Sequence, residues 1–224
     1  MAEIIGVGAE AILYKAWLGR LPVVVKVRIS KSYRDPRYDE LFRRARTRTE
    51  ARILAQLRLA GLKVPAPFLV DLTACVIVME YLEGRRLSEE LAAPRNAEEL
   101  RRAMRDLGAQ VAKMHSMGIY HGDLTATNVI VREPGGEPYI IDFGLAGYSW
   151  DVEEHAIDVH LFTRSLEVSA TGAEALVREF RAGYEEVSED NARAVWERVD
   201  ELRRRGRYIS REVRRALARE RYRA

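Results

Sequence analysis

The spacing of apolar residues changes character along the chain. Over 2–7 and 11–18 it suits two strands flanking the small-residue turn Gly6-Val7-Gly8-Ala9, and the β-branched run at 22–29 predicts a third. A charged stretch, 31–48, leads into a helix that ends near Gly61. Two more strands are expected near 68–72 and 74–80, with Cys75 as a small buried strand residue, while 81–88 has no clear period and reads as a linker. Beyond it the period turns helical. Asn96 with Glu99 resembles a capping box, and Leu100, Met104, Leu107, Val111 and Met114 recur at three and four until Gly118, where a helix should stop. That spacing makes both methionines core residues. Short strands at 128–132 and 138–142 flank Glu133-Pro134-Gly135-Gly136-Glu137, a hairpin signal, and three further helices are predicted at 173–187, 190–205 and 210–221. Strands first and helices later predict an α+β fold rather than alternating βαβ units.

Composition narrows the class. With 224 residues the chain suits one domain, or two small lobes sharing a cleft. Apolar residues at 47% and charged ones at 32% are a soluble globular balance. A single cysteine excludes a disulfide framework and a cysteine-based zinc site. Met1 to Leu13 holds Glu3 and Glu10 and no basic region, so no secretory signal is expected there. The longest run free of charged side chains, 114–122, is far short of a membrane span, and the cytoplasm is the expected compartment. The net charge of +3 conceals a split, with +8 on residues 203–224 and −5 on the remainder.

The strongest chemical signal is His121-Gly122-Asp123-Leu124-Thr125-Ala126-Thr127-Asn128, followed after the hairpin by Asp142-Phe143-Gly144. An Asp and an Asn five apart on a loop can set a carboxylate on a nucleophile and an amide oxygen on a cation, and a second carboxylate completes the cation site. Phosphoryl transfer needs that arrangement, because its catalysis is positioning and charge neutralisation. Upstream, Lys26 sits inside an apolar strand, where a lysine is costly unless paired. Phosphate oxygens and a helix glutamate would pair it, Glu50 ahead of Glu40. Gly6 and Gly8, with Ala9 and Glu10, form a loop whose backbone can approach phosphates closely.

These pieces, in this order, resemble the protein-kinase superfamily. The resemblance implies a small bilobal kinase-like fold: an antiparallel-sheet N-lobe with one main helix over 1–82, a mostly helical C-lobe over 83–202, and a basic tail over 203–224. It gives Asp123 and Lys26 catalytic roles and assigns Asn128 and Asp142 to Mg2+. ATP would lie against Gly6, Gly8, Ala9, Glu10, Lys26 and Glu50, with Glu80 and Leu82 in the hinge segment that holds adenine. His121 reads as structural, His155 and His160 as surface or packing residues. Asp158 is either an ordinary helix residue or the aspartate that braces the catalytic loop in kinases. Only thirteen residues separate Gly144 from Asp158, and no Ala-Pro-Glu follows, so the peptide-docking platform of ordinary protein kinases is missing.

Finer features resemble one family, the small atypical kinase/ATPase subunit of the KEOPS complex. They are Gly8-Ala9-Glu10-Ala11, the stretch from Tyr33-Arg34-Asp35-Pro36 through Arg46-Thr47-Arg48-Thr49-Glu50-Ala51-Arg52, the His121-Gly122-Asp123-Leu124-Thr125 loop, and Arg204-Arg205-Gly206-Arg207, so that the resemblance covers essentially the whole chain. The family pattern continues with lysine after Arg-Gly-Arg, where this chain has Tyr208 and a further arginine-rich helix. The resemblance implies ATP hydrolysis within the complex that makes threonylcarbamoyladenosine at tRNA position 37, with serine/threonine autophosphorylation. It implies a transferase subunit on the C-lobe and tail, and a small accessory subunit on the N-lobe. A free-standing, Rio-like serine/threonine kinase is the alternative. Arg203-Arg204-Arg205 could be a solvated helix end, favoured by the helix dipole at about 0.3–1 kcal/mol each. A charge of +8 over 22 residues exceeds that need, and Arg204, Arg205 and Arg207 are expected to meet tRNA phosphate or a partner.

Overall fold

The structure is a computed structural model that describes residues 2–208 apart from 134, 171 and 188. The helix expected at 210–221 lies outside the described residues, as does most of the basic tail.

The N-terminal half is built on one antiparallel sheet. Strands β1 (Glu3–Val7), β2 (Ala11–Leu18), β3 (Leu21–Arg28), β4 (Pro67–Asp71) and β5 (Val76–Glu80) lie in the order β1-β2-β3-β5-β4. The central β3 pairs Lys26 with Leu13 on one side and Ile77 on the other. Along β3 the buried positions include Val23, Lys26 and Arg28, so two cations share the covered side of the sheet. Helix α1 (Pro36–Leu59) starts at the Asp35 carboxylate, which accepts from the N–H groups of Arg37 and Tyr38 at 3.0 and 3.1 Å, and Pro36 fits the first turn. Its buried Glu50, Ile53, Leu54 and Leu57 face inward. Cys75 is buried but belongs to the turn before β5 rather than to a strand, with φ at +56°.

Residues 81–88, read as a linker, contain structure. Strand β6 (Gly84–Arg86) and the start of α2 (Leu87–Ala92) lie there. The run has no period because a three-residue strand passes directly into a helix. Helix α3 (Ala97–Ser116) is capped by the Asn96 side chain, which accepts from the N–H groups of Glu98 and Glu99. It buries the predicted apolar stripe and stops before Gly118 at φ +66°. Strands β7 (Ile119–Tyr120), β8 (Val129–Arg132), β9 (Glu137–Ile140) and β10 (Gly147–Tyr148) carry the functional loops; β6, β8 and β9 form one small sheet, and β7 pairs β10.

Helices α4 (Val152–Ser169), α5 (Ala173–Val187) and α6 (Glu189–Tyr208) complete the fold. The sequence pattern does not predict α4. Its buried side includes His155, Asp158 and Thr163 beside Val159, Phe162 and Leu166, so the polar residues blur the apolar period. Helices α3 and α5 pack backbone to backbone: a Cβ on Gly183 would lie 1.8 Å from the Arg105 carbonyl oxygen, and one on Gly108 1.9 Å from that of Phe180. One apolar core spans both halves, from Ile53, Leu57 and Ile77 to Met104, Phe162 and Phe180. Among the described residues no helix is long and apolar enough to cross a membrane.

Candidate active site

The site lies between the five-stranded sheet and the loops around β7 to β10. An apolar wall of Val24, Leu54, Met79, Leu82, Ile130 and Ile141 leads to Lys26, Asn128 and Asp142. Its shape suits a flat heterocycle with a charged group deeper in. Gly6, Gly8 and Ala9 line the adjoining opening, which also reaches Asp123. The loop is closed by the Gly8 N–H donating to the Ala11 carbonyl at 2.9 Å.

Buried charge organises the centre. Lys26 Nζ donates to Glu50 Oε1 at 2.6 Å and to Asp142 Oδ1 at 2.7 Å, and Arg28 Nη2 donates to Glu50 Oε2 at 2.6 Å. Glu50 is thus the glutamate on the lysine, while Glu40 faces Arg44 on the exposed side of α1. Burial pushes the Lys26 ammonium down, but Glu50 and Asp142 outweigh it and hold the pKa above its ordinary value. Burial likewise pushes the Asp142 carboxyl up, and Lys26 reverses this and holds it below the ordinary carboxylate value. Both groups therefore stay ionised at neutral pH. Asp142 adopts φ +62°, a left-handed conformation uncommon for a residue other than glycine, and its side chain accepts from the Gly144 N–H at 3.2 Å.

The loop after β7 holds Asp123 in the open. Asn128 Nδ2 donates to the Asp123 carbonyl and to Asp123 Oδ2, both at 2.9 Å, so the Asn128 side-chain carbonyl oxygen is the atom that could hold a cation. His121 is fully buried, its Nε2 donating to the Ile141 carbonyl at 3.0 Å while its Nδ1 accepts from the Asp123 N–H at 3.2 Å. It ties the Asp123 loop to the Asp142 loop. Gly122 stands where those loops touch: φ is +80°, and a Cβ there would lie 2.5 Å from the Leu145 carbonyl oxygen. Beneath them, Asp158 accepts from the N–H groups of His121 and Gly122 at 2.5 and 2.8 Å, and from His115 Nε2 at 3.3 Å. Of the two readings of Asp158, the geometry matches the brace.

With this geometry in place, comparison with known proteins separates the branches of the kinase fold. Over 223 aligned residues the chain is 40% identical to the KEOPS complex subunit Bud32 of Pyrococcus abyssi, covering 93% of this chain and 97% of that protein. The chain belongs to the Bud32 family. A Dictyostelium discoideum Bud32-family member, an EKC/KEOPS complex subunit, is 33% identical over 208 residues, covering 91% of this chain and 82% of that protein. A probable bifunctional tRNA threonylcarbamoyladenosine biosynthesis protein of Methanosarcina mazei is 37% identical over 210 residues, and there the match covers 92% of this chain but only 36% of the longer protein. The lipopolysaccharide kinase (Kdo/WaaP) family model also matches, over residues 23–184. The Rio2 kinase from Chaetomium thermophilum, solved as an ADP/Mg2+-phosphoaspartate complex, superposes with a TM-score of 0.62 at 18% identity, covering 88% of this chain and 70% of that one, a likeness of fold alone.

In this Bud32-family chain the fold brings Gly6, Gly8, Ala9, Glu10, Lys26, Glu50, Asp123, Asn128 and Asp142 around one cleft. Leu82 and Glu80 both line it, but the Glu80 carboxylate turns to the Ala66 N–H at 3.3 Å and towards Arg58 and Arg132. Arg204 lies far along the exposed end of α6, and Arg205 and Arg207 are described there only as helical backbone. His155 packs inside, its ring 4.3 Å from that of His115, and is not a surface residue. Sequence reasoning gave no role to Arg28, Arg46 or Arg86, all of which line the cleft. Arg28 was detectable: it stands two positions beyond Lys26 in the same apolar strand, and so on the same face. Arg86 was hidden in the supposed linker; it donates to the Thr127 carbonyl and joins β6 to the Asp123 loop.

Proposed function

We propose that this chain is an ATP-hydrolysing, kinase-like subunit of a KEOPS-type assembly that makes threonylcarbamoyladenosine in tRNA, acting in the cytoplasm. The observation that carries the reading is the Lys26–Glu50–Asp142 cluster facing Asp123 and Asn128 across one cleft. The 40% identity to a KEOPS subunit along nearly the whole chain supports the assembly.

Mg2+ fits the residues present. Asn128 and Asp142 offer hard oxygen donors, and among the described residues no cluster of three or more His, Cys, Asp or Glu could cage a metal alone. That suits an ion that takes one or two protein oxygens and shares phosphate oxygens with its nucleotide. When bound, the ion neutralises charge on the phosphate oxygens. Lys26, released from Asp142 and still held by Glu50, binds phosphate. Leu82 and its apolar neighbours enclose the base. Asp123 orients the attacking water or hydroxyl and takes up its proton. In hydrolysis the water oxygen joins the γ-phosphorus, the bond to the bridging oxygen breaks, and its electron pair leaves with ADP. Asp158 and His121 hold the Asp123 loop at the required place.

The transferase subunit would dock on the C-lobe and tail, the small accessory subunit on the N-lobe, and tRNA on the basic tail. Autophosphorylation on serine or threonine would use the same groups. Calorimetric binding of ATP with and without Mg2+, alongside hydrolysis, tests the site. Asp142→Ala should abolish the Mg2+ dependence, and Asp123→Asn should spare binding while cutting turnover at least a hundredfold. Unchanged turnover in Asp123→Asn would refute the assignment.

A further inference from the structure

Beside the cleft, behind the glycine loop, lies a concentration of charge that phosphoryl transfer does not require. The Glu10 carboxylate faces three guanidinium groups. Oε2 lies 3.6 Å from Arg28 Nη1 and 3.9 Å from Arg46 Nη2, while Oε1 lies 3.5 Å from Arg34 Nη2. A well-fitted carboxylate sits about 2.7–2.9 Å from a guanidinium nitrogen, and Glu50 approaches Arg28 to 2.6 Å. Glu10 is shared among three donors, with one long hydrogen bond from Arg34 at 3.5 Å and looser approaches to Arg28 and Arg46.

Donor capacity is left over. The Nε groups of Arg28 and Arg46 are buried without a hydrogen-bond partner, and the Arg28 side chain is 4% exposed. A buried donor without an acceptor is costly, so an anion with more oxygens than a carboxylate would improve the site. The arginines do not depend on Glu10 for their places. Arg28 is held by Glu50, and Arg34 and Arg46 lie 4.6 and 5.6 Å from the Phe42 ring centre. Arg34 also lies 3.7 Å from the Asp39 carboxylate. The Glu10 backbone is held by its carbonyl accepting from the Ile29 N–H at 3.1 Å, whereas its partly exposed side chain has only one long hydrogen bond, from Arg34 at 3.5 Å, and two looser ion pairs to give up in swinging out. Glu10, Arg28 and Arg46 line the same opening as Lys26, Asp123 and Asp142, so an anion there would adjoin the place where the proposed function puts the nucleotide's terminal phosphate; Arg34 reaches Glu10 without lining that opening.

We propose that Arg28, Arg34 and Arg46 form a second phosphate site beside the triphosphate cleft, filled by the orthophosphate that ATP hydrolysis releases, with Glu10 as the built-in competitor that expels it. A tetrahedral dianion spreads its oxygens over a wider span than a carboxylate, and so reaches donors that stand 3.5–3.9 Å from Glu10. The source of the phosphate rests on the ATP-hydrolysing reading; the site itself does not.

The test is calorimetric titration of the full chain with inorganic phosphate, with and without Mg2+-ADP. Glu10→Gln should bind phosphate about tenfold more tightly than the parent, and Arg34→Gln and Arg46→Gln each about tenfold more weakly. Arg28 is left intact because Glu50 depends on it, and circular dichroism of each variant verifies the fold. Equal phosphate affinity in the parent and Glu10→Gln, or no loss in folded arginine variants, overturns the proposal. A chain that hydrolyses no ATP but shows these shifts keeps the phosphate site and loses the proposed function. A chain that hydrolyses ATP without them does the reverse.

Discussion

Replacing His155 by phenylalanine removes a buried titratable group while keeping an aromatic ring on His115. The two imidazoles stack nearly parallel, 4.3 Å apart at 6°, and His155 Nε2 donates to the Ser149 carbonyl at 3.1 Å. Burial pushes the His155 pKa down from its ordinary 6.5 to about 4, and the neighbouring His115 adds to the fall against the opposing pull of Asp158 and Asp151. Between those values the unfolded chain holds a proton that the folded chain does not, so stability rises with pH through that window and is complete above it. The full span of about 2.5 units corresponds to roughly 3 kcal/mol, and the part lost between about pH 7 and about pH 5 is roughly 2 kcal/mol. Urea unfolding of the parent and of His155→Phe at both pH values measures it. The variant loses the Ser149 hydrogen bond equally at both, so only the difference between the two pH values reports the titration. His160, also held below its ordinary value by burial and by Arg203, contributes in both proteins and cancels. Parent and variant losing the same stability on acidification would show that His155 is not a buried neutral imidazole.

Other changes probe the remaining parts of the architecture. Glu50→Gln leaves Lys26 and Arg28 buried beside a neutral amide, and should lower the free energy of unfolding by about 3 kcal/mol in denaturant titrations. Gly183→Ala drives a methyl group into the Arg105 carbonyl and should cost at least about 2 kcal/mol as α3 and α5 separate, read from the shift in thermal midpoint. Asp158→Asn weakens the bonds to the His121 and Gly122 N–H groups; turnover should fall about tenfold or more while calorimetric nucleotide affinity stays within about threefold. If the tail neutralises about four tRNA phosphates, affinity measured by filter binding should fall on the order of a hundredfold between about 50 and 200 mM salt.

Much of the fold is legible in the sequence. Lys26 stands out in the sequence as a charge in an apolar strand, and the five-residue spacing of Asp123 and Asn128 followed by Asp142 marks three residues that the fold does bring to one cleft. The α3 stripe was plain because its buried face is almost wholly apolar. What stayed hidden was hidden for physical reasons. Helix α4 buries a histidine, an aspartate and a threonine, and these break the period on which helix assignment rests. Strand β6 is three residues long, too short to show alternation. Asp158 and His115 meet from different helices, so no spacing in the chain joins them. The convergence of Arg28, Arg34 and Arg46 on Glu10 likewise needs the sheet laid against α1. Three of these residues stood inside motifs already singled out, yet only the fold shows that they face one another.

The assembly-subunit reading stands or falls on Mg2+-dependent ATP turnover by the purified chain, measured alone and with the transferase subunit and tRNA. Strong stimulation by those partners, lost in Asp142→Ala, is the predicted result. Robust phosphorylation of generic peptides by the chain alone, with no response to the partners, would contradict it and mark the chain as an autonomous protein kinase.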